Sequence, residues 1–267
     1  MFCSKYLQMS KKKRLLKQKQ SQNNNNNNNV TKDKSLIVHQ GDKLERPVQI
    51  RQRPDLTNKQ KEFLKLALDN HTKIVFITGP SGSSKSFLAT LVALELLNLK
   101  KVSDLIYIRS IVESSDNKMG YLPGDANEKL TPYLEPLMEK LDELLCKSDI
   151  NTLMKENRVE GKPTGYLRGL SWNAKVIIMD EAQNSTFREL TTLMTRVGQF
   201  SKLFVCGDPM QSDINGKSGF EKMCNVFNDN ESREMGIHVF TLTEADIVRS
   251  EIVRYIVKKL ELYNKKN

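Results

Sequence analysis

"ITGPSGSSKSFLA", residues 77–89, sets two glycines, a lysine and a cluster of small hydroxyl side chains between two apolar segments. Upstream, "KIVFIT" (73–78) is short, apolar and β-branched, the pattern of a buried strand. Downstream, "SFLATLVALELLNL" (86–99) is long and apolar, the pattern of a buried helix. A strand, a glycine-rich turn and a helix in that order form a cradle for phosphate, because the turn's amides and the free amides of the first helical turn converge on anionic oxygens. The usual spacing is G-x-x-x-x-G-K-[ST]. Gly79, Lys85 and Ser86 keep it, with Pro80, Ser81, Gly82 and Ser83 between, while Ser84 stands where the second glycine is expected. Serine is the next smallest choice. With the negative φ of a helix start, it would avoid the left-handed penalty.

Working outward, the same alternation repeats. "LTNKQKEFLKLALDN" (56–70) has helical spacing, with Thr57 as its expected cap. "DLIYIRS" (104–110), "AKVIIMDEAQN" (174–184), "SKLFVCGD" (201–208) and "IHVFTL" (237–242) read as further strands. Helices are expected within 120–147, at 186–198, near 217–227 and at 244–263, with Pro132 and Pro136 delaying or kinking the first of these. Strands apolar throughout, alternating with helices, predict an α/β fold: one parallel sheet covered by helices on both faces, over residues 45–265.

Residues 1–44 read differently. "KKKRLLKQKQSQNNNNNNNVTKDK" joins a basic run to seven asparagines, too poor in apolar groups to offset the entropy of ordering, and predicts a disordered tail and linker. A solvated tail is the plainer reading of the basic run; a nucleic-acid-binding arm or an import signal is the alternative. The tail also explains the formal net charge of +10, since residues 1–54 hold 13 Lys/Arg against 3 Asp/Glu and the remainder holds 29 of each. Any attraction of the folded part for phosphates must therefore come from a local patch. Four cysteines without C-x-x-C spacing and three scattered histidines argue against a zinc site or a disulfide framework. No apolar run approaches the roughly 18 residues of a membrane span. A cytoplasmic setting is expected.

Two further motifs carry chemistry. "VIIMDEAQN" sets Asp180 and Glu181 at the carboxyl end of a strand, the edge at which open α/β sheets bind ligands. Asp180 is suited to hold Mg2+ together with Ser86, and Glu181 to polarise an attacking water. "CGDPMQSD" (206–213) ends the next strand in Asp208, with Gln211 three residues on as a candidate γ-phosphate sensor. Joined to the loop, these predict hydrolysis of ATP or GTP.

The order of motifs resembles the PhoH family of P-loop ATPases, related to the first RecA-like domain of superfamily one helicases, over roughly residues 50–264. "LTNKQKEFLKLAL", "GPSGSSKSFLA" and "IYIRSIVESSDNKMGYLPGDANEKLTPYLEPLMEKL" are similar to its upstream glutamine segment, its phosphate loop and its L-P-G-D stretch. "GYLRGLSWNAKVIIMDEAQN", "LTTLMTRVGQFSKLFVCGDPMQSD" and "FTLTEADIVRSEIVRYIV" are similar to its carboxylate, sensor and closing segments. The resemblance implies ATP as cofactor with Mg2+, Gln60 at the adenine, and Lys85 and Ser86 on phosphate and metal. It further implies Asp180 on the metal, Glu181 as the water-activating base and Gln211 as the sensor. Arg249 of "DIVR" is the first choice for stabilising transition-state charge, with Arg196 and Arg168 as rivals. Ser84 and the asparagine-rich tail depart from the family pattern.

A helicase of that lineage strains nucleic acid between two motor domains, and 267 residues leave no room for a second. The resemblance thus implies a homo-oligomer, a ring with nucleotide at subunit interfaces, acting on single-stranded RNA or DNA. The alternative is a nucleotide-dependent switch without motor action.

Overall fold

The computed structural model of the chain describes residues 44, 46–52, 56–110, 126–164, 167, 171–214 and 216–247, with 252, 255, 256 and 259 beyond. Residues 126–133 are described by backbone only. The basic tail, the L-P-G-D stretch, Arg168, Arg249 and most of the closing segment lie outside the described residues.

Six strands form the sheet: β1 (Ile74–Thr78), β2 (Asp104–Arg109), β3 (Val159–Pro163), β4 (Lys175–Asp180), β5 (Lys202–Gly207) and β6 (Ile237–Thr241). Their order is β3-β2-β4-β5-β1-β6, and every pairing is parallel. Side chains alternate faces along each strand. Val75, Ile77, Leu105, Tyr107, Val176, Ile178, Phe204 and Cys206 therefore join one apolar cluster, and Ile74, Phe76, Ile106, Ile108, Ile177, Met179, Leu203 and Val205 join another. Both faces are buried, which is why the strands show no polar alternation.

The first cluster is closed by α1 (Asn58–Leu68), α2 (Lys85–Asn98), α3 (Ala126–Leu144) and α4 (Lys147–Lys155). The second is closed by α5 (Phe187–Met194) and α6 (Phe220–Val226), with α7 (Asn230–Glu234) leading into β6. Helix α2 is apolar on nearly every side because it lies over β4 and β5 with α1 and α3 flanking it. Thr57 caps α1 as expected. Its Oγ1 accepts from the Gln60 amide at 3.1 Å, and the Gln60 side chain accepts from the Thr57 amide, also at 3.1 Å.

Three local features were not read from the sequence. Helix α3 starts at Ala126, ahead of Pro132 and Pro136, so the prolines do not delay it. Its amphipathic face explains this, since Leu137, Leu141 and Leu144 are fully buried. Each such leucine contributes about 1.5–3 kcal/mol, comparable to the cost of an interior proline. Strand β3, "VEGKP", was not expected; it is polar and short because it is an edge strand, pairing only with β2 and ending at a proline. Helix α4 likewise follows α3 in a stretch for which no element was expected. No described helix is long and apolar enough to cross a membrane.

Candidate functional site

Parallel pairing brings the carboxyl ends of β1, β2, β4 and β5 to one edge of the sheet. The chain leaves β1 for β2 on the far side of β4, with β5 filling the place between β1 and β4. That crossover opens a crevice at the edge. It is a cleft of about 360 Å³, lined by loop residues Ser81, Gly82, Ser84, Lys85 and Ser86 and by Asp180, Glu181, Gln183, Asp208 and Gln211. Gln60, Arg109 and, from α3, Lys140 and Glu143 complete its walls.

The loop wraps its own lysine. Lys85 Nζ donates to the carbonyl oxygens of Gly79 at 2.8 Å and Pro80 at 3.0 Å, while the Ser83 hydroxyl donates to Pro80 O at 2.8 Å. Gly79, Pro80 and Ser83 thus stand behind the cleft and shape it from the backbone. Gly79 has φ 154°, and a Cβ there would lie 2.7 Å from the Leu242 carbonyl oxygen, so only glycine fits without a shift. Burial pushes the pKa of Lys85 down from its ordinary value, against the attraction of Asp208, Cys206, Asp180 and Glu181.

Ser84 corrects the expectation of a negative φ. It caps α2 with φ 69° and ψ 25°, in the left-handed region, and its side chain makes no capping bond. The loop must reverse just before the helix, which is the reason glycine is usual here. Serine in this conformation costs about 1–2 kcal/mol, whereas glycine would add about 0.5–1 kcal/mol of unfolded-chain entropy. Ser84→Gly is expected to stabilise the fold by roughly 0.5–1 kcal/mol, raising the melting temperature by about 2 °C with nucleotide affinity kept or improved. A lowered melting temperature would show that the serine makes a contact worth more than its strain.

At the end of β4, Asp180 is nearly buried, with both carboxylate oxygens engaged. Oδ1 accepts from the Ser86 hydroxyl at 2.5 Å and from the Glu181 amide at 3.1 Å, and Oδ2 accepts from the Tyr107 hydroxyl at 2.6 Å. Burial, then the charge of Asp180, push the Tyr107 phenol far above its ordinary pKa, so it remains a donor. Ser86 and Asp180 are hard oxygen donors already in contact, a pair that fits a hard divalent cation.

Glu181 follows in a strained conformation of its own, φ 53° and ψ 39°. Such strain persists where surroundings fix it. Here Gln183 Nε2 donates to Glu181 Oε2 at 2.6 Å, while Gln183 Oε1 accepts from the Asp208 amide at 3.1 Å. The neighbouring loops are joined further by Ser212 Oγ to Gln183 O at 3.2 Å, and by Asp213 N to Asn184 Oδ1 at 2.8 Å. The carboxylate turn and the turn carrying Gln211 are thus one hydrogen-bonded body.

Nine of the residues proposed from sequence meet in this cleft: Gln60, Ser81, Gly82, Ser84, Lys85, Ser86, Asp180, Glu181 and Gln211. The amide of Gln60 is already engaged, with Nε2 donating to Asp246 O at 3.0 Å and Oε1 accepting from Thr57 N at 3.1 Å. One N–H and one lone pair of the amide remain beyond these two bonds. Arg196 is not brought to the cleft. Its carbonyl accepts from Trp172 N, ahead of β4, at the opposite edge of the sheet. Tyr107, Arg109 and Gln183 escaped the sequence reading. The one signal for Tyr107 was a hydroxyl inside an otherwise aliphatic strand.

A glycine loop between strand and helix, faced across one strand by a vicinal aspartate and glutamate, defines a P-loop NTPase-like protein. The PhoH-like protein family model matches residues 53–261. The chain belongs to the PhoH family. PhoH-like proteins of Synechocystis (36% identity over 207 residues; 77% of this chain, 61% of that one) and Mycobacterium tuberculosis H37Rv (37% over 213; 79% and 58%) are similar to it. So is the Bacillus subtilis PhoH-like protein (33% over 208; 78% and 63%). The chain spans about three fifths of the length of these relatives. Among solved structures, the Pif1 helicase of Candida albicans aligns with a TM-score of 0.36 at 20% identity, over 72% of this chain and 40% of that one.

Proposed function

We propose that this chain is an Mg2+-dependent ATPase that works as a homo-oligomer on single-stranded RNA or DNA. The observation that carries the reading is that the phosphate loop and the D-E pair line the same cleft, with Ser86 Oγ 2.5 Å from Asp180 Oδ1. In this reading Lys85, the loop amides and the start of α2 bind the β- and γ-phosphates. Ser86 and Asp180 hold Mg2+, which supplies charge neutralisation at the phosphates when bound. Glu181 accepts the proton of the attacking water, and Gln183 keeps its carboxylate aimed into the cleft. Gln211, on the turn joined to Glu181 through Gln183 and Asp208, links the γ-phosphate's presence to that turn.

The homo-oligomer part of the reading draws on the placement of cations. Arg109 lines the cleft within one chain, whereas Arg196, at the far edge, meets a nucleotide only across a subunit boundary. Arg249 remains the first choice for that trans contact.

Phosphate release by the purified chain, measured with Mg2+ and with or without single-stranded RNA and DNA at stated salt, tests the reading. Release stimulated several-fold by one nucleic acid is expected. Stimulation that fades as salt rises marks binding through phosphates, whether by the basic tail or by a patch on the domain. A second reading, a nucleotide-dependent switch without motor action, is favoured by the left-handed Ser84 in the glycine-rich loop. Tight Mg·ATP binding without turnover, in a chain that stays monomeric by light scattering, would establish it against the motor.

A further inference from the structure

The carboxylate proposed for the metal is held by a residue to which the motifs assign no role. Tyr107 lies on β2 opposite Ile178 of β4, and Arg109 lies opposite Asp180. Tyr107 and Asp180 therefore sit on the same sheet face, one strand over and two residues apart, a step of about 6.6 Å along the strand. A benzene ring alone stops short of that distance; the para hydroxyl completes it, reaching Asp180 Oδ2 at 2.6 Å. Tyr107 is 1% exposed and belongs to the apolar cluster under α2, so its ring is fixed by packing and its hydroxyl has no water to turn to.

We propose that Tyr107 is a positioning residue for the metal-binding carboxylate of Asp180. Resting on the proposed Mg·ATP reading, this assigns Tyr107 two tasks. Its hydroxyl satisfies the buried Oδ2, which would otherwise sit unsolvated at the apolar base of the cleft. By doing so it fixes the carboxylate's rotation, leaving Oδ1 turned to the Ser86 hydroxyl and the Glu181 amide. Groups that orient a metal ligand from behind commonly govern metal affinity by 10–100-fold. Without the hydroxyl, Asp180 is free to rotate or to pull away from Ser86, and the loss falls on metal binding rather than on the nucleotide's other contacts.

The test is Tyr107→Phe, which keeps the ring in the core. Binding of a fluorescent ATP analogue is titrated against Mg2+, alongside thermal melting. The variant is expected to fold, to bind the metal-free nucleotide as the unmutated chain does, and to need roughly 10-fold more Mg2+ for half of the metal-dependent gain in affinity. Asp180→Asn and the double variant complete a cycle. Once Asp180 is changed, Tyr107→Phe should alter the Mg2+ requirement no further, whereas a general packing defect would cost the same in both backgrounds. An unchanged Mg2+ requirement in a folded Tyr107→Phe chain, or equal effects in the two backgrounds, overturns the assignment. If instead the unmutated chain shows no Mg2+-dependent nucleotide binding, the nucleotide reading itself fails, an outcome distinct from either.

Discussion

Glu181→Gln should bind Mg·ATP as tightly as the unmutated chain and hydrolyse it at least about 100-fold more slowly. The substitution is nearly isosteric. Its side-chain carbonyl oxygen still accepts from Gln183 Nε2, and the left-handed backbone at Glu181 carries the same strain as before. On the proposed reading, what disappears is the basic oxygen that would take a proton from the attacking water, so the change falls on the chemical step and not on the cradle. Single-turnover phosphate release and equilibrium binding, measured on one preparation, separate the two. Turnover at the unmutated rate would remove Glu181 from its role and leave Asp208 and Glu143, which also line the cleft, as the carboxylates to examine.

Lys85→Ala should weaken both binding and turnover, by about 10–100-fold in nucleotide affinity, because a charge-assisted bond to phosphate contributes about 1.5–3 kcal/mol. A second loss compounds the first. The ammonium also ties the Gly79 and Pro80 carbonyls together, at 2.8 and 3.0 Å, so its removal loosens the loop whose amides face the phosphates. Lys85→Arg should not rescue binding, since a planar guanidinium is longer and cannot occupy the same fold of the loop. Affinity within about two-fold of the unmutated chain in Lys85→Ala would mean that phosphate sits elsewhere.

The parts of this site that were legible in the sequence are those contiguous along the chain. Residues 77–89 declare a strand, a turn and a helix within 13 residues, and Asp180–Glu181 declare a strand end, because each pattern is local. What a single segment does not carry is register. Tyr107 reaches Asp180 only because β2 and β4 pair with Tyr107 opposite Ile178, and Gln183 bridges Glu181 to Asp208 only because β4 and β5 end side by side. Strand β3 was missed for the converse reason. An edge strand need not be apolar, so "VEGKP" gives no periodic signal. Ser84 was misread because its residue type fits a helix start, while the loop's reversal, set by the fold of residues 79–83, demands a positive φ. The prolines of α3 misled in the opposite sense, since the buried leucines that overrule them belong to the tertiary core.

Gln60 lines the cleft with its amide already engaged. The family likeness implies an adenine contact, yet the structure binds both ends of the amide within the chain, to Thr57 and to Asp246 of the closing D-I-V-R motif. The same aspartate accepts from the Thr57 hydroxyl at 2.5 Å and from the Thr243 amide at 2.9 Å. The glutamine segment and the described start of the closing motif are therefore fastened to each other beside the cleft.

The central claim is that a triphosphate ends, with its cation, between the start of α2 and the end of β4. A crystal structure of the chain with Mg2+ and a non-hydrolysable ATP analogue tests it most directly. The account predicts the γ-phosphate within hydrogen-bond reach of Lys85 Nζ, and the metal in contact with Ser86 on the side facing Asp180. A nucleotide bound at any other edge of the sheet, with Lys85 still folded onto the Gly79 and Pro80 carbonyls, would contradict it.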